Sequence, residues 1–208
     1  MNKAVTLITA WGAFDTQHPE ASLEDFCRHY LAQQQQPPAA KPGKYQPNTS
    51  AGMLMRTIGR IFKLHTIYAA AALEGTGIAN IDEYALLNAI MLLHEPRKTE
   101  AIYAALQELS TGADKLNRLR KQGYLKEYDD PDDKRSKRLK VTGKGEKVMT
   151  QCRKRISQLA EMMMHDLSED DKQLALQLLK GVETKFTGSW QSHKGQGFEE
   201  IYDSVMRS

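Results

Sequence analysis

The chain has little of what marks secreted, membrane-spanning or catalytic proteins. Only two cysteines, Cys27 and Cys152, occur in 208 residues. That excludes a disulfide framework and makes a reducing cytoplasm the simplest compartment. No stretch of 18 consecutive apolar residues exists, so no membrane-spanning helix is expected. The opening stretch MNKAVTLITAWGAFD carries one lysine and a short apolar segment, but no convincing small-residue cleavage site follows. A signal peptide is therefore not expected. Aromatics make up only 7% of the chain, which, beside abundant Ala, Leu, Met, Lys, Glu and Gln, favours helices over sheets.

Catalytic patterns are missing too. GTGIAN, at 75–80, is glycine-rich but follows a helical stretch rather than a strand, so it is no phosphate-binding loop. There is no nucleophile elbow and no His-Glu zincin motif. The six histidines show no metal-ligand spacing. No enzymatic role, metal or cofactor is expected.

What the chain does have is charge in one place. Residues 110–155 hold nine Lys and six Arg against seven acids, a net +8. The whole chain carries +3, which leaves −5 for the remainder. A basic block in an acidic scaffold suits a polyanion, although a solvated helix and hairpin would also be basic.

The same block has a legible layout. STGADKLNRLRKQG reads as a helix opening at Ser110 or Thr111, with Leu116 and Leu119 on one face. Gly123 stands at the position after the helix that favours glycine. Tyr124, Leu125 and Tyr128 form a short strand, the aspartates around Pro131 a turn, and Ser136 to Val141 a return strand. A short helix over 98–106 precedes the 110–122 helix, completing a helix-turn-helix. The expected fold is mainly α: a winged helix-turn-helix with a small β-hairpin wing and long N- and C-terminal dimerisation helices. Ser110, Thr111, Asp114, Lys115, Asn117, Arg118 and Lys121 are the candidate DNA-binding residues of the helix, and Lys134, Arg135 and Lys137 those of the wing. Lysine and arginine can donate to guanine or phosphate, and asparagine can pair with adenine.

Elsewhere, apolar spacing predicts helices over about 3–16 and from Ser22. A proline-rich stretch (four prolines between 37 and 47) follows them. Leu7, Ile8, Trp11 and Phe14 are the expected buried residues of the first helix. Asn80 with Glu83, Ser168 with Asp171, and Thr142 mark further helix starts. Helices over about 49–74, 142–164 and 168–185 carry more apolar surface than one small lobe needs, which suggests a homodimer. The expected division is a helical extension and linker at 1–48 and the winged-helix domain at 49–208, with its DNA-binding lobe at about 80–142.

The run Arg118 to Leu125, then Asp130-Pro131-Asp132-Asp133-Lys134-Arg135-Ser136, then Leu139-Lys140-Val141-Thr142-Gly143-Lys144-Gly145, resembles the MarR family of transcription regulators. The resemblance is strongest from about 110 to 148 and extends in helix order from about 50 to 187. It implies a cytoplasmic two-fold dimer that reads a pseudo-palindromic double-stranded DNA operator. It also implies that Asp133 pairs with Arg135 to hold the wing, and that a small aromatic effector binds near the dimer helices. Met53, His65, Met91 and Met163 are the candidate effector pocket, although core packing is the better single explanation of the methionines. Some relatives sense oxidants through cysteine, and Cys27 suits that better than Cys152, which falls on an apolar seam. The rival reading is a winged-helix protein-interaction module with no DNA role.

Overall fold

Side-chain caps written in the sequence fix several helix starts. Asn80 Oδ1 accepts the Glu83 backbone N–H at 3.0 Å, Thr142 Oγ1 that of Gly145 at 3.1 Å, and Ser168 Oγ that of Asp171 at 3.1 Å. Each satisfies an amide that the first helical turn leaves without a partner. The structure, a computed structural model, describes residues 2–34, 49–131, 133 and 135–207. The proline-rich stretch at 37–47 lies outside them. The helices are α1 (Lys3–Gln17), α2 (Leu23–Gln34), α3 (Ser50–Leu73), α4 (Ile81–Leu92), α5 (Lys98–Ala104), α6 (Leu109–Lys121), α7 (Gly143–Met163), α8 (Glu169–Ser189) and α9 (Phe198–Arg207). Two strands, β1 (Leu125–Asp129) and β2 (Lys137–Val141), pair between α6 and α7. The chain divides into two compact units, Met1–Thr57 and Ile58–Ser208.

In the first unit α1 packs on α2 through aromatics. Phe14 and Phe26 are buried, and Trp11 meets Phe26 edge-on with centroids 5.1 Å apart. Asp25 closes the α2 start, bonding the Ser22 hydroxyl at 2.6 Å. The expected burial of Leu7 and Ile8 is not found: they are 48% and 70% exposed. One short partner helix can cover only the stripe that carries Phe14. Cys27 is exposed.

The second unit is built around one apolar cluster. Leu86, Leu87 and Ile90 of α4 meet Ile102 of α5, Leu116 and Leu119 of α6, Leu139 of β2, and Met149 and Cys152 of α7. Each such side chain contributes about 1.5–3 kcal/mol on burial. The hairpin is antiparallel, in a register that sets Leu125 opposite Val141 and Glu127 opposite Leu139. Leu125, Leu139 and Val141 point into the core. Gly123 takes φ 75° after α6, as its place in the sequence demands. A close approach requires Gly145: an added Cβ would lie 2.2 Å from the Tyr124 carbonyl oxygen. Burial pushes the Cys152 thiol pKa up, and its side chain is fully enclosed.

Candidate nucleic-acid interface

Helix α6 starts two to three residues earlier than the hydroxyls of Ser110 and Thr111 suggest. Its cap is Glu108, which makes no side-chain capping bond, so neither Ser110 nor Thr111 caps it. Both lie inside the first turn, exposed. The turn before α6 is fixed by Gln107, which is buried. Its Nε2 donates to the Asp82 carbonyl at 2.8 Å, and its Oε1 accepts from Lys115 at 3.1 Å. Leu106, at φ 53°, occupies the left-handed conformation that reverses the chain. Gly112 lets α5 and α6 meet: an added Cβ would lie 2.6 Å from Ile102 Cγ2.

The basic residues of α6 divide between two jobs. Lys115 is largely buried and reaches Asp82 at 2.8 Å. Arg118 donates from Nε and Nη2 to the Glu83 carboxylate, which raises its pKa; the Glu83 side chain is only 3% exposed. Glu83 also accepts from the Ala79 N–H at 2.9 Å. Lys115 and Arg118, expected to face outward, are instead ties to α4. The reason is that α4 presents Asp82 and Glu83 in its first turn, opposite them. Ser110, Thr111, Asp114, Asn117 and Lys121 form the exposed face, joined by Arg120, which the sequence reading passed over. Arg120 Nη2 reaches Asn117 Oδ1 at 3.4 Å.

In the wing, Asp133 takes a role different from the expected ion pair. Its Oδ1 accepts the Arg135 backbone N–H at 3.0 Å, and its Oδ2 accepts the Ser136 hydroxyl at 2.8 Å. Those donors, the Ser136 hydroxyl first, hold its pKa below the ordinary carboxylate value. The carboxylate thus organises the turn through the backbone, leaving the Arg135 side chain exposed. Lys137 is also exposed and pairs with Asp129. Lys134 lies outside the described residues.

Asp130, one turn aspartate among several in the sequence, is the wing's anchor. Its side chain is fully buried, 2.8 Å from Arg97 Nε and 3.2 Å from Arg138 Nε. Asp130 therefore faces inward, so its charge is spent on the protein. Glu95 accepts from Tyr128 and pairs with Lys140, contacts that hold its pKa down.

Of the four residues considered for an effector pocket, Met91 borders a described cavity, of about 490 Å³, with His94, Glu95 and Lys140. Another, of about 320 Å³, lies between α3 and α7, lined by Tyr68, Ala71, Arg155, Leu159 and Met162. His65 and Met163 line neither, and Met53 lies in the first unit. Among the described residues no group of His, Cys, Asp and Glu is placed to hold a metal, and no helix is long and apolar enough to cross a membrane.

Helix-turn-helix, hairpin and exposed polar helix together define a winged-helix lobe. Residues 80–145 match the sequence family described as the winged helix DNA-binding domain. No curated protein matches the chain by sequence. Among solved structures, a mutant MarR from E. coli complexed with operator DNA is 23% identical with a TM-score of 0.58, covering 62% of this chain and 92% of its own. The organohalide-sensing regulator RdhR, in its 2,4-dichlorophenol-bound form, is 16% identical with a TM-score of 0.64, covering 77% and 94%. PcaV from Streptomyces coelicolor, in complex with its natural ligand, is 24% identical with a TM-score of 0.52, covering 65% and 93%. Residues 80–145 are thus similar to winged helix DNA-binding domains, and the fold is shared with the MarR regulators, as the resemblance in the wing implies.

Proposed function

We propose that this protein is a homodimeric, effector-responsive transcription regulator that reads double-stranded DNA. The observation that carries the reading is the exposed row of Ser110, Asp114, Asn117 and Lys121 on a helix whose opposite face is locked into the core by Leu116 and Leu119. A helix so held can enter a major groove as a rigid probe. Arg135 and Lys137 on the hairpin suit the neighbouring backbone or a narrow minor groove. Ser110 and Thr111, beside the free amides of the first turn, suit a phosphate.

Dimerisation is supported by apolar surface that the single chain leaves open. In the second unit Phe62, Ile67, Leu176, Leu178, Val182 and Phe186 are each about half exposed or more, and Phe198 and Met206 of α9 are more so. Exposed apolar surface of this kind suits a contact between two copies of the chain. Two lobes related by a two-fold axis would read half-sites about 34 Å apart, in a pseudo-palindromic operator. The cavity between α3 and α7, with Tyr68, Met162 and Arg155, suits a small aromatic effector, in keeping with the dichlorophenol in RdhR. Met91 in the cavity beside His94 offers a second place for one.

The test is binding of the purified protein to a duplex from upstream of its own gene, beside a scrambled duplex, over a salt series. Selective binding that weakens along a straight log–log salt line is expected. Equal binding to both duplexes would reduce the interface to a basic surface. Absence of binding at low salt would favour the protein-interaction reading instead.

A further inference from the structure

A third cavity, of about 460 Å³, lies between α5 and the end of α8. Leu93, Ala104 and Thr187 line it, together with Tyr103, Trp190 and the carboxylate-bearing Glu100. The Tyr103 and Trp190 rings meet edge to face, with centroids 5.6 Å apart and planes at 84°. Lys194 sits against both. Its ammonium is 4.6 Å from the Tyr103 centroid, 4.5 Å from that of Trp190, and 3.1 Å from Glu108 Oε2.

Two aromatic rings from separate helices and a carboxylate, converging on one ammonium, make a cage whose chemistry recognises alkylammonium ions. Here the occupant is the protein's own lysine. Its hold is exchangeable, since Glu108 is largely exposed and the lysine is carried on a flexible four-carbon stem. We propose that this cavity binds a hydrophobic organic cation, a quaternary or tertiary ammonium bearing an aryl group, which displaces Lys194 from Tyr103 and Trp190. The ammonium takes the place of the lysine on the rings with Glu108 as counter-charge. The aryl group fills the space toward Leu93 and Ala104. An aromatic anion is disfavoured, because Glu100 and Glu108 both border the site. The assignment stands on the cage alone and does not depend on what α6 reads.

Isothermal titration of the full chain with benzyltrimethylammonium tests it, with benzyl alcohol as the neutral control and benzoate as the anionic one. Binding is expected to be about tenfold tighter in Lys194→Ala, where the competitor is gone. In that background Trp190→Leu or Tyr103→Leu should weaken it at least tenfold. Glu108→Gln alters only an exposed carboxylate, so it should leave the fold intact and weaken binding several-fold. Equal affinity in the parent and Lys194→Ala would overturn the proposal. So would benzyl alcohol binding as well as the cation, or no binding to Lys194→Ala at all.

Discussion

Arg118 of α6 and Glu83 of α4 form a two-pronged ion pair, Nε and Nη2 both donating to one carboxylate that solvent scarcely reaches. An arginine on the basic helix α6 is thereby a strut. Arg118→Ala would leave Glu83 charged, buried and short of partners. The expected cost is about 2–3 kcal/mol of stability, less than for a fully buried pair because the arginine is partly exposed. Urea unfolding should show it as a lower midpoint. A residue that served only DNA would leave that midpoint unchanged.

Gly112 and Ile102 predict a coupled pair. Gly112→Ala forces a methyl group against the Ile102 side chain and should cost about 1–3 kcal/mol. In an Ile102→Ala background the clash disappears, so the same glycine change should cost clearly less. Additive losses in the double variant would show that the two helices already have room.

On the open face of α6, Lys121→Ala should weaken binding to every duplex alike and reduce the log–log salt slope by about 1. Asn117→Ala should alter preference at one base position, by about 1–3 kcal/mol for the favoured base. Binding assays against single-position operator variants separate these outcomes. A uniform loss from Asn117→Ala would assign that residue to the backbone.

The turn at Asp133 should respond to acid. Its folded-state pKa lies below the unfolded value, so its contribution is complete above the ordinary carboxylate pKa. It declines as pH falls through the depressed folded value. Exchange of the Arg135 amide, corrected for intrinsic rate, should therefore be protected at neutral pH and lose protection only in that acid range. Asp133→Asn should remove the pH dependence. An unchanged profile in that variant would place the titration elsewhere.

The open face of α8 gives a prediction about mass. Val182→Asp introduces a charge into exposed apolar surface and should leave the isolated subunit folded. Sedimentation should report a dimer for the parent, as the proposed function requires, and a monomer for this variant. A dimer that persists would move the contact away from α8.

Much of this was legible locally. The caps at Asn80, Thr142 and Ser168, the glycine stop at 123 and the alternation of Leu139 with Val141 are short-range signals, and the structure follows them. What was not legible was pairing across distance. Helical spacing puts Lys115 and Arg118 outside the Leu116–Leu119 stripe but cannot say that α4 brings Asp82 and Glu83 to meet them. Asp130 looked like one turn aspartate among several. Only the fold sets it between Arg97 and Arg138. The α6 start lies two to three residues before the hydroxyls that suggest it, because Glu108 leaves no side-chain signature.

The fastening of the hairpin has a mechanical consequence. Asp130 joins β1 to Arg97 at the start of α5, the Leu139 N–H donates to the Pro96 carbonyl at 2.9 Å, and Glu127 takes Lys98 at 2.8 Å and Arg120 at 3.5 Å. A hairpin bolted at so many points has no travel of its own. It turns with α5 and α6 like the bit of a key with its shank. On the proposed function, a signal that changes grip on a double helix must turn the whole key, and substitutions that loosen one bolt should blunt the grip without altering the signal.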